Sequence, residues 1–104
     1  MSKLRKRKDP IVRRDEILNI AIKLAIKVGY KAITREMIAD TINVSPGLIT
    51  RYFGTVRKLK REIMKTAIEQ ENLIIIAQGL SVQDPLTEGI KKELKHKVLM
   101  FLLT

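Results

Sequence analysis

Apolar residues recur at helical spacing along the first third of the chain. Ile17, Ala21, Leu24 and Val28 fall four, three and four residues apart. They share one face of a helix over 11–28, which Ile20 and Ala25 widen. Arg13, Arg14, Asp15, Lys23 and Lys27 lie off that face. Gly29 follows, where a residue in the left-handed region is expected to close a helix. Thr34 then stands as N-cap of a short helix from Arg35 to Thr41 or Ile42, with Met37, Ile38 and Ile42 turned to the core. Asn43, which tolerates left-handed backbone, marks a turn. Ser45-Pro46 opens a third helix that runs to Phe53, with a capping hydroxyl followed by a proline at the first helical position. Ile49, Tyr52 and Phe53 give it apolar surface, and Gly54 ends it.

Thr55 predicts a fourth, longer helix over 56–78. Leu59, Ile63 and Ala67 make its stripe, and Ile74 extends it. Gly79, Ser81 and Asp84-Pro85 break the pattern. Asp84 as N-cap with Pro85 after it predicts a last helix over 85–103, in which Leu86, Ile90, Leu94, Val98 and Phe101 recur. No strand-like alternation occurs, so the predicted fold class is all-α.

Charge is laid out unevenly along these helices. The chain has 104 residues, 21 Lys or Arg against 11 Asp or Glu, and a net charge of +10. Residues 1–65 alone carry +11, and residues 66–104 carry −1. A footprint this lopsided fits a polyanionic partner. Lys3, Arg5, Lys6, Arg7 and Lys8 precede Asp9-Pro10 in a basic arm over 1–10, where like charges repel and nothing can be buried. Such an arm is either a solubilising tail or a strand of charge that follows phosphates or enters a minor groove. The composition excludes several chemistries. There is no cysteine and one histidine, His96, set among lysines, so no metal site, thiol nucleophile or disulfide is expected. No Gly-rich phosphate loop or nucleophile–base pair is present, and neither an enzyme nor a cofactor is expected. The basic N-terminus has no apolar run after it, and 98–103 is too short to span a bilayer, so no membrane partner is expected and a cytoplasmic location is the default.

The segment 34–53 has the shape of a helix-turn-helix, in which the second helix enters a major groove and the first crosses the backbone. Thr34-Arg35-Glu36-Met37-Ile38-Ala39-Asp40, then Val44-Ser45-Pro46-Gly47, Tyr52-Phe53-Gly54-Thr55 and Leu59 resemble the DNA-binding domain of the tetracycline-repressor (TetR) family. Val28-Gly29-Tyr30 fits as well, and the resemblance covers about residues 12–65. It implies a homeodomain-like three-helix domain over 11–55 and a helical dimerisation region over 56–104. It further implies a homodimeric, sequence-specific transcriptional repressor on a palindromic operator in double-stranded DNA. Pro46, Gly47 and Leu48 match the family positions that approach base edges. The aromatic pair of the recognition helix and a lysine opening the next helix match phosphate contacts. Here Thr50 replaces the first aromatic and Val56 the lysine, while Tyr52 is kept, and Arg51, Arg57 and Lys58 are neighbours able to supply those contacts. Arg51 also has the reach and geometry to read a guanine. Thr34 and Ser45 stand at helix starts, where phosphate is favoured, and Arg35 either touches phosphate or is simply solvated. Tyr30 is expected to pack rather than to contact.

Family members carry a long C-terminal domain that binds an inducer. About 40 residues follow the matching segment here. Two helices cannot easily enclose a ligand pocket and also dimerise, so a small-molecule inducer is not expected. The apolar runs 73–76 and 98–103 either pack onto the monomer's own core or form a two-fold interface, and the interface, with Leu94 and Phe101 in it, is the favoured expectation. The competing reading is a basic non-specific nucleic-acid-binding or protein-interaction module on the same fold.

Overall fold

The computed structural model describes residues 9–104, so Lys3, Arg5, Lys6, Arg7 and Lys8 of the arm lie outside the described residues. Among the described residues the chain is helical, with no strand. Helix α1 spans Pro10–Val28 and a 3-10 turn follows at Tyr30–Ala32. Then come α2 (Arg35–Ile42), α3 (Pro46–Phe53), α4 (Val56–Glu69), α5 (Leu73–Ser81), α6 (Pro85–Glu88) and α7 (Lys92–Leu103).

Asp9 caps α1 by accepting the Ile11 amide at 2.8 Å, with Pro10 at the first helical position. The buried residues of α1 are Ile17, Leu18, Ala21, Ile22 and Ala25. The expected stripe is thus turned: Ile20 and Leu24 are half-buried and Val28 is exposed. The reason is that α1 is covered on several sides, by α2, α4 and α5. Its buried arc is therefore broad and centres on the two alanines, while Val28 lies in the last turn, beside the end of the helix at Gly29.

The helix-turn-helix forms over the predicted span. Asn43 has φ 59° and ψ 53°, in the left-handed region, and the Val44 amide donates to the Ala39 carbonyl at 3.0 Å, closing α2. Helix α3 starts at Pro46, but the expected Ser45 hydroxyl cap is not formed. The proline has removed one free donor, and the Leu48 amide is taken by the Ser45 carbonyl at 3.0 Å instead.

Two long helices expected from the sequence are each divided. The span 56–78 breaks at Glu71, which adopts φ 54°. The Glu71 amide donates to the Ile68 carbonyl at 3.2 Å and the Asn72 amide to the Ala67 carbonyl at 2.8 Å, the paired closure of a Schellman motif. Asn72 then caps α5, its Oδ1 accepting the Ile75 amide at 3.2 Å. After this break Ile75 and Ile76 are buried and Ile74 is exposed, so Ile74 does not extend the α4 stripe. The span 85–103 breaks at Gly89, leaving a single turn of helix before α7. Leu94 and Val98 of α7 are buried in the monomer, which removes Leu94 from any expected interface, whereas Phe101 is exposed.

Between α1 and α2 the chain is held by α5 and α6. Gly29, at φ 91°, has the positive φ expected but a ψ of 136°, outside the left-handed helical basin. The Gln78 side chain spans the break: its Nε2 donates to the Ala25 carbonyl at 3.1 Å and its Oε1 accepts the Tyr30 amide at 2.9 Å. The Tyr30 ring is buried and its hydroxyl donates to Asp84 Oδ2 at 2.6 Å. The other oxygen of Asp84 caps α6 through the Leu86 amide at 2.9 Å. Helices α4, α5 and α6 meet closely at Gly79, where a Cβ would lie 2.5 Å from Met64 Cε and 2.6 Å from Thr87 Cγ2.

Candidate nucleic-acid interface

The core fixes which edge of α3 faces out. Ile49 and Phe53 are buried in the core cluster that also holds Ile38 and Ala39 of α2, and Tyr52 packs half-buried on it. Gly47, Thr50, Arg51 and Gly54 are exposed. Their spacing of three, one and three residues puts them on one edge of the helix. Pro46 and Leu48 are half-buried and flank that edge. Ser45, its hydroxyl making no cap bond, is exposed at the helix start.

The start of α2 lies beside this edge. Thr34 Oγ1 accepts the Met37 amide at 3.1 Å and so caps the helix. The amides of Arg35 and Glu36 have no acceptor within the helix, as in any first turn. The Arg35 guanidinium crosses to α3: Nη1 donates to Thr50 Oγ1 at 2.8 Å, while Nε pairs with Glu36 Oε2 at 3.2 Å. Helix α4 opens next to the end of α3. Thr55 Oγ1 caps it through the Lys58 amide at 3.1 Å, and Arg57 and Lys58 stand exposed on its first turn. Val56, where a lysine is usual in the family resembled, is half-buried.

Thr34, Arg35 and Thr50 are therefore brought together. Ser45, Gly47 and Arg51 follow along α3, and Arg57 and Lys58 sit on α4. The expected contacts from the arm lie outside the described residues. Residues that support this surface were not visible in the sequence. Arg14 stacks on the Phe53 ring at 4.5 Å and pairs with Glu62 at 3.3 Å, tying α1 and α4 to the end of α3. Nothing in the local pattern distinguishes Arg14 from a solvated arginine. Gln78 is equally silent in sequence. Asp84 is legible as a helix cap, but not as the acceptor of the Tyr30 hydroxyl.

Burial of the Tyr30 ring comes first among the causes that push its phenol well above the usual range, followed by the hydrogen bond to Asp84 and the charge of that carboxylate. Among the described residues no group of three or more His, Cys, Asp or Glu is placed to hold a metal, and no helix is long and apolar enough to cross a membrane.

Residues 17–63 match the family of bacterial regulatory proteins designated tetR. No curated protein and no solved structure matches the chain.

Proposed function

We propose that residues 17–63, which match the tetR family of bacterial regulatory proteins, form a DNA-binding domain, and that the chain acts as a homodimeric repressor on a palindromic operator. The observation that carries the specific reading is the exposed edge of α3, where Gly47, Thr50 and Arg51 face outward beside a cluster of charge from α2 and α4. The first turn of α3 enters the major groove. Gly47 lets the backbone approach base edges, and the exposed part of Leu48 meets a thymine methyl. Arg51 reads a guanine through its fork of donors. Thr34, Arg35, Ser45, Tyr52, Arg57 and Lys58 hold the phosphates on either side of Thr50, and Lys3, Arg5, Lys6 and Arg7 add contacts from the arm. These contacts position the protein, whereas Gly47, Leu48 and above all Arg51 face the bases.

The apolar end of α7 supports the homodimer. Leu99, Met100, Phe101, Leu102 and Leu103 are all exposed, and Leu103 is 79% accessible. Apolar exposure of this extent favours a partner that covers it. A two-fold axis through it presents two recognition helices to two half-sites.

Footprinting on the DNA upstream of the chain's own gene tests this reading, because small repressors commonly control themselves. The expected result is a protected segment with inverted half-sites. Uniform protection of all DNA at one concentration would contradict it and favour the non-specific module.

A further inference from the structure

Thr50 occupies the outward edge of α3 at a place where a large aromatic side chain would reach far further than a hydroxyl. Its hydroxyl does not stand alone, because it accepts Nη1 of Arg35 at 2.8 Å. The arginine comes from the first turn of α2, the helix that crosses the DNA backbone in a helix-turn-helix. A guanidinium has five N–H donors. One goes to Thr50 and one, from Nε, to Glu36. Three remain, and the Thr50 O–H has its own proton still to donate. The side chain of Arg35 is 43% accessible, so these donors are open to an incoming anion. Arg35 also lies beside the uncapped amides of the α2 first turn, which carry the positive end of the helix dipole.

We propose that Thr50 is a positioning residue that aims the Arg35 guanidinium at a DNA phosphate, so that the pair does together what a single long side chain on α3 would do. This rests on the DNA-binding reading above and assigns it a division of labour. Arg35 supplies the charge and the contact. Thr50 restricts the arginine before DNA arrives, which lowers the conformational entropy lost on binding. The hydroxyl of Thr50 is neutral, so its bond takes no charge from Arg35, and the carboxylate paired with the guanidinium, that of Glu36, is itself exposed at the surface. The contact is to phosphate rather than to a base, because Arg35 approaches α3 from the side of α2.

The test is a double-mutant cycle on duplex DNA carrying the operator selected by the wild-type chain, read by fluorescence anisotropy over a range of salt. Arg35→Ala should weaken binding about tenfold or more and lower the salt slope by about 1.8, the value of one lost phosphate contact in each protomer of the dimer. Thr50→Val keeps the shape and removes the hydroxyl, and should weaken binding about 2- to 10-fold, the range of one net hydrogen bond. Thr50→Ser should restore binding. In the Arg35→Ala background Thr50→Val should have no further effect. Both positions are at the surface, and unchanged circular dichroism establishes that each variant folds. A Thr50→Val loss of the same size with and without Arg35 would overturn the proposal, as would a Thr50→Val variant that binds like wild type. Either result with intact wild-type operator binding leaves the DNA-binding reading standing. A wild-type chain that prefers no duplex sequence overturns both.

Discussion

Arg51 and Tyr52 are adjacent in the chain but meet different surroundings, the first exposed and the second packed half-buried on the core. On that difference rests the proposal that Arg51 reads and Tyr52 positions. Arg51→Ala should cost about 1–3 kcal/mol on the operator and relax preference at one base pair per half-site. Tyr52→Phe should weaken binding evenly across sequences, because a phosphate contact carries no base information. Site selection on each variant decides: an intact motif for Arg51→Ala and an altered one for Tyr52→Phe would reverse the roles. A second residue-scale prediction concerns Tyr30. Losing its hydrogen bond to a carboxylate should make Tyr30→Phe less stable by about 1–3 kcal/mol at neutral pH. Folding raises the phenol above its ordinary value of 10.0. The contribution is therefore complete below that value and is lost as pH rises toward the folded-state value. Urea melts at about pH 8 and about pH 11 should show the wild-type advantage over Tyr30→Phe shrinking. A constant difference would mean that the phenol's proton is not involved.

The elements differ in how openly the sequence declares them. Helices α2 and α3 are legible because each boundary has its own chemistry: Thr34 caps, Asn43 takes the left-handed turn, Pro46 opens and Gly54 closes. The later helices are less so. Three helix ends close through left-handed residues, and two of these, Glu71 and Gln83, are side chains that rarely announce such a turn. At Asn72 the amide that closes α4 and the side chain that caps α5 belong to one residue, and the apolar run Leu73 to Ile76 hides the change of phase. The long reach of Gln78 and Asp84 to the α1–α2 break depends on tertiary placement, which no local pattern encodes. Two stability measurements check this account. Gln83→Gly should stabilise by about 0.5–1 kcal/mol, since glycine removes the left-handed penalty but adds unfolded-state entropy. Gly79→Ala should destabilise by about 1–3 kcal/mol, as the new methyl must displace Met64 and Thr87. A neutral Gly79→Ala would show that α4, α5 and α6 can separate freely.

At the scale of the whole molecule, charge and apolar surface lie at opposite ends of the chain. The basic excess falls in residues 1–65, and the exposed apolar run falls at the end of α7. The proposed interface is best tested where the monomer core is untouched. Leu99 and Leu102 are exposed, whereas Leu94 and Val98 are buried. Leu99→Glu with Leu102→Glu should give folded monomers in sedimentation and weaker operator binding, and a wild-type monomer at micromolar concentration would contradict the dimer. A dimer that touches about 6–10 phosphates should lose roughly 10³–10⁵-fold in affinity between about 50 and 200 mM salt. The most direct test of the central claim is selection of binding sites by the wild-type chain from random duplex DNA. The account predicts enrichment of an inverted repeat whose half-sites lie about one helical turn apart, or a small multiple of it. Recovery of sequences without a shared motif, with equal affinity and equal salt dependence for any nucleic acid, would contradict it.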